Sequence, residues 1–220
     1  MDNRFNGAPA DIERLTPEES DLFTKSFLDR WNKILLREIT RDNNGLEEDG
    51  FGIATLHRGH IRWNGRDYYA WAVSYLSAEQ IARFVARRTN KNLPQAVPGG
   101  GICALYVFDR DLNRLAALRI DLPEADHHTW CNGIHGIGSA GGGIEGVLVS
   151  LSYYLTDKPP AKRVEDIGKG WRYMSVLIRF EERDGKLVLR QDDSCLGNPN
   201  RVSEIPVARK VLARCGAVPR

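Results

Sequence analysis

The chain reads as an α+β domain: a mainly antiparallel sheet built from three hairpins, with four helices packed on it. Three observations predict this class. Asn64-Gly65 and Asp184-Gly185 each sit between apolar runs and suit two-residue hairpin turns. Thr16-Pro17-Glu18-Glu19 and Ser77-Ala78-Glu79-Gln80 are helix-start signatures, each with a hydroxyl cap and an acid or amide side chain at the third helical position. Finally, the links between candidate strands are short, which favours antiparallel over parallel pairing.

Residues 1–15 read as a polar arm and 16–220 as one domain. A first helix runs from Thr16 to about Ile39, because Leu22, Phe23, Phe27, Trp31, Ile34 and Leu35 recur at helical spacing. Ile53–Trp63 and Arg66–Leu76 form the first hairpin. Its two-residue turn sets Arg62 opposite Asp67, His60 opposite Tyr69, Arg58 opposite Trp71 and Leu56 opposite Val73. A second helix from Ser77 places Ile81, Phe84 and Val85 inward. Ile102–Phe108 and Leu115–Leu122 make the second hairpin, apolar enough for a central place in the sheet. Ile144–Leu155 reads as a third helix, with Ile144, Val147, Leu148, Leu151 and Leu155 on one side. The third hairpin is Trp171–Glu182 with Lys186–Arg190. The last helix covers about Pro206 to Cys215 and points Val207, Val211, Leu212 and Cys215 inward.

Composition narrows the function classes. A formal net charge of +2 gives no broad field for nucleic acid or an anionic membrane. No stretch approaches the roughly 20 apolar residues a membrane helix requires, and the first ten residues lack a basic head with an apolar run. The expectation is a cytoplasmic protein with reduced thiols; in an oxidising compartment Cys195 and Cys215 become a candidate disulfide. The sequence leaves the cofactor open. A GxxxxGK[ST] phosphate loop is absent, and the glycine run around 136–143 lacks the βαβ setting of a dinucleotide site.

Asp126 to Gly146 is the densest candidate site. It joins His127, His128, Cys131 and His135 to closely spaced glycines. Cys131 and His135 are four apart and share a face if that turn is helical. A thiolate beside an imidazolium attacks carbonyl carbon well. His128 or His135 would serve as base and Cys131 as nucleophile. Glu145, in the first turn of the expected helix, would orient or deprotonate. Gly138, Ser139, Gly141, Gly142 and Gly143 would offer backbone N–H groups to an oxyanion. The reaction this points to is acyl or amide group transfer or hydrolysis on a small-molecule substrate. It requires these groups to meet in one pocket.

His127-His128-Thr129-Trp130-Cys131-Asn132-Gly133 also resembles the HHxxxDG signature of chloramphenicol acetyltransferases and condensation-type acyltransferases. The resemblance implies that His128 deprotonates an acceptor hydroxyl or amine. Asn132 stands where that family has aspartate, and Pro123-Glu124-Ala125-Asp126 intervenes where the family has a strand. Three other readings stand beside the catalytic one. Asp126, His128, Cys131 and His135, with His60, are permissible zinc ligands for a metal-dependent hydrolase, though at no closed-site spacing. The glycines would equally serve close packing of a helix on a sheet. A non-catalytic inhibitor or immunity-type protein would dock a protein partner on Tyr69 and Trp71, beside Arg58 and His60.

Overall fold

A computed structural model describes residues 11–13, 25–42, 51–77, 101–123, 129–155 and 171–216. Two antiparallel sheets, rather than one, organise them. The first has the order β1 (Asp11–Glu13), β2 (Phe51–Trp63), β3 (Arg66–Ser77), β4 (Ile102–Phe108), β5 (Arg114–Arg119). The second runs β6 (Thr129–Ser139), β7 (Gly146–Leu155), β8 (Trp171–Arg183), β9 (Lys186–Gln191). Their inner faces share one core, in which Ile61, Leu105 and Val107 of the first sheet meet Val149, Val176 and Phe180 of the second.

Among the described residues each outer face carries one helix. Helix α1 (Lys25–Asp42) buries Leu35 and Ile39 against Trp71, Val73, Tyr106 and Phe108. Helix α2 (Ile205–Gly216) buries Ala208 and Leu212 against Leu148 and Leu177. The described layers are therefore helix, sheet, sheet, helix. This corrects the expectation of three hairpins in one sheet under four helices: the face of each sheet that carries no helix is the one it turns to the other. The helix expected from Ser77 lies outside the described residues.

The largest local correction is Ile144–Leu155, which is strand β7 and not a helix. Val147, Val149, Leu151 and Tyr153 point into the shared core, whereas Leu148 points out beneath α2. A strand covered on both sides is apolar at nearly every position, so its pattern fits a helical stripe as well as a strand. Together β6 and β7 make a fourth hairpin. β5 is also displaced from the central position expected of it; it is an edge strand.

Where turn chemistry carried the expectation, it holds. The β2–β3 register pairs Arg62 with Asp67, His60 with Tyr69, Arg58 with Trp71 and Leu56 with Val73. Asn64 and Gly65 take φ of 50° and 70°, and Asp184 and Gly185 take 52° and 72°, the left-handed pair a type I′ turn needs. No helix among the described residues is long and apolar enough to cross a membrane.

Candidate active site

β6 pairs with β7 through two irregularities, one between Cys131 and Gly133 and one between Ile134 and Gly136. In a regular strand, residues three apart face opposite sides. The first bulge cancels that rule, so Cys131 and Ile134 both enter the inner core. The extra residues, Asn132 and His135, are exposed on the other side. There both reach the same atom. His135 Nε2 lies 2.8 Å from Ser152 Oγ, and Asn132 Nδ2 donates to that oxygen at 3.1 Å.

Ser152 belongs to the outward set of β7, with Leu148 and Ser150. Helix α2 covers the leucine end of this face; the serine end is polar. Ser152 itself is 2 % exposed. Above it stands Tyr173, its partner on β8, which is 51 % exposed and has its ring centroid 5.6 Å from that of His135.

A further histidine completes the cluster. β6 is an edge strand, and two β2 side chains satisfy its free backbone groups at Ile134. Thr55 Oγ1 accepts from Ile134 N–H at 2.8 Å, while His57 Nε2 donates to Ile134 C=O at 3.1 Å. His57 thereby comes close enough to repel a charge on the neighbouring ring. Desolvation first, and His57 second, hold the His135 imidazole below the usual histidine range. It stays neutral at pH 7, so Nε2 is able to accept the Ser152 proton while Asn132 donates to the same oxygen.

The expected thiol–imidazole pairing is not formed. Cys131 is bonded to Cys103 across the two sheets, with 5.5 Å between Cα atoms, and Cys195 is likewise bonded to Cys215 at 6.0 Å. A paired sulfur has no thiolate to offer, and Cys131 faces away from His135. Glu145 is no orienter of His135 either. It sits at the opposite end of the hairpin, where Oε2 accepts from Trp63 Nε1 at 3.3 Å. The glycine run does not lead into a helix. Gly136 and Gly138 lie under α2, where a Cβ on Gly138 would come within 3.1 Å of Ile205. Ser139 accepts from Arg209, and Gly141, Gly142 and Gly143 form the tight turn into β7. Close packing of helix on sheet is what those glycines serve here.

His127, His128 and Asp126 lie outside the described residues. The other members of the zinc set are scattered: Cys131 is in the core, His135 is outside the second sheet, and His60 pairs with Asp67 at 3.1 Å on the first. Among the described residues no three metal-ligating side chains cluster. Trp71 is 1 % exposed beneath α1, and Tyr69 is half-buried, so this pair offers no docking surface.

Ser152 escaped sequence reading because it looked like a polar interruption in an apolar run. Its alternation with Val149, Leu151 and Tyr153 was the available signal. Compared with family models, with curated proteins and with solved structures, the chain matches none.

Proposed function

We propose that the protein transfers or hydrolyses acyl groups at Ser152, with His135 as general base. The single observation carrying this is the convergence of both bulge residues on one hydroxyl: His135 at 2.8 Å and Asn132 at 3.1 Å. Ser152 Oγ attacks a substrate carbonyl carbon and its proton passes to His135 Nε2. Asn132 then turns its amide N–H to the oxyanion that develops. The protonated imidazole donates to the departing alcohol, thiol or amine, and water or an acceptor nucleophile releases the acyl group by the reverse sequence. His135 keeps the role of base expected of it; the nucleophile changes from Cys131 to Ser152.

The buried hydroxyl sets a condition on this scheme. Substrate reaches Ser152 only if the exposed Tyr173 side chain swings aside while His135 keeps its hydrogen bond to the hydroxyl. A fluorophosphonate probe followed by peptide mapping tests access and nucleophilicity together. Labelling at Ser152, abolished in Ser152→Ala and strongly slowed in His135→Ala, is the expected result. Turnover of short-chain p-nitrophenyl esters should be lost in the same variants. Absence of label on Ser152 in folded protein, together with ester turnover unchanged in Ser152→Ala, would remove the catalytic reading.

A further inference from the structure

The opposite sandwich edge carries a second, independent feature. β5 ends the first sheet, so one side of its backbone faces no strand of that sheet. In an antiparallel ladder the N–H and C=O of one residue point the same way, and successive residues alternate. Ile120 N–H bonds to Cys103 C=O at 2.8 Å, so Ile120 points towards β4, and Asp121, Arg119 and Ala117 point away. Asp121 bears this out. Its N–H donates to Gln191 Oε1 at 2.9 Å, and its carbonyl accepts from Gln191 Nε2 at 3.0 Å and Asn198 Nδ2 at 3.1 Å. Gln191, the last residue of β9, and Asn198, in the loop that follows it, thus cap the edge at Asp121. Among the described residues, no such cap meets Ala117 or Arg119.

Beside that uncapped stretch lies a cavity of about 600 Å³. It is lined by every residue of β5, 114–119, together with Arg41, Asp42, Tyr75 and Tyr106. From the β5 edge the hollow spreads over the outer face of the sheet, past Ala104 and Tyr106 of β4 to Tyr75 of β3. The strand offers small and apolar side chains there, Ala116, Ala117 and Leu115, the last 41 % exposed. Its charges are one-sided. Arg114 is held by Asp42 at 2.5 Å and Glu38 at 3.2 Å, Arg41 meets Glu38 only at 3.7 Å, and Arg119 has no ion pair among the described residues.

We propose that β5 accepts an added strand: an extended segment of another polypeptide carrying glutamate or aspartate at alternate positions. The free backbone groups of Ala117 and Arg119 would pair with it, and Arg41 and Arg119 would select its charge. A second copy of this chain is a poorer occupant. Symmetric antiparallel pairing of two β5 strands brings their arginine-bearing ends together, and like charges placed opposite each other are destabilising.

The test uses the full chain and two short peptides, one alternating valine with glutamate and the other valine with lysine. The glutamate peptide should bind about tenfold more tightly at low salt, and should slow amide hydrogen exchange at Ala117 and Arg119. Ala117→Pro removes an N–H that does not pair with β4 and should abolish binding. Arg119→Glu keeps the ladder and should reverse the preference, which covers the case in which the proline variant does not fold. Equal binding of both peptides, or unchanged exchange at the two amides at saturation, overturns the proposal. So does the same protection produced by inorganic phosphate, which marks a small-anion pocket, or by concentrating the protein alone, which marks a homodimer. Ester turnover and probe labelling at Ser152 should be unaffected by either variant, so failure here and failure of the active-site reading are distinguishable.

Discussion

The β2–β3 and β6–β7 hairpins are both long and antiparallel, yet they do different work. β2–β3 keeps one continuous register from Thr55 to the turn, with its only irregularity between Ile53 and Thr55. Its outward side chains Trp71, Val73 and Tyr75 are buried beneath α1. β6–β7 breaks register twice in mid-strand, and the residues squeezed out are the two that converge on Ser152. A regular ladder assigns every side chain to a face by parity and favours burial. A bulge spends one residue of that regularity to aim a side chain that parity would have placed elsewhere.

The contrast is sharpest in stability. Trp71→Ala should cost about 3–5 kcal/mol, the usual loss for emptying a large aromatic site, read from urea unfolding. Ser152→Ala removes one hydroxyl whose two partners are themselves exposed, and should cost about 1 kcal/mol. Comparable losses in the two variants would make Ser152 a structural residue and dissolve the contrast.

Asn132→Ala should lower turnover of the acyl substrate about 10²-fold, as losing one oxyanion donor does, with the unfolding midpoint nearly unchanged. A fall in stability without a fall in rate would mean that the first bulge only holds β6 in place.

The β8–β9 hairpin, which pairs with β7 but not with β2–β3, supplies a control away from Ser152. At its end Asp192 takes hydrogen bonds from Ser194 and Arg179. Burial pushes its carboxyl upward, but those bonds outweigh burial and hold it at about 2, below its ordinary 3.8. The ionised form is favoured by folding. Its contribution is therefore present above the ordinary value and is lost as pH falls from about 4 through about 2, a total of about 2 kcal/mol. Asp192→Asn should be less stable at pH 7 and show a flatter acid limb in the pH dependence of unfolding.

The smallest expected effect concerns His57. A neutral His135 is the working base, and its depressed value carries that form below the usual 6.5, so kcat/KM should fall only on the acid side of it. Between the folded and unfolded values the unfolded chain binds more protons, and stability rises with pH there. Removing the second of the two causes in His57→Ala should move the acid limb upward in pH. An unmoved limb would show that burial alone sets the value.

What was legible follows the same division. Asn64-Gly65 specified a turn, and the turn specified which residue of β2 meets which of β3; local backbone chemistry sufficed. The span of the last helix was equally plain. Its inward face, however, is set by Ala208 and Leu212, with Val211 partly buried, whereas Val207 and Cys215, expected inward, are exposed. β7 was not legible, since Leu148 outward and Val147 inward are both buried and the pattern loses its contrast. The site was half legible. His135 stood out as an ionisable group among glycines, but its face depended on bulges, and Ser152 was invisible until β7 was a strand.

Composition and turn residues alone determined that this chain builds long antiparallel hairpins with amphipathic helices against them, because those preferences act within a few residues. Only the tertiary structure decided that the hairpins divide into two facing sheets. It also decided that Cys131 meets Cys103, and that Asn132 and His135 meet Ser152. Those meetings depend on strand parity and on what covers each face, and parity changes with a single inserted residue that no short-range rule locates.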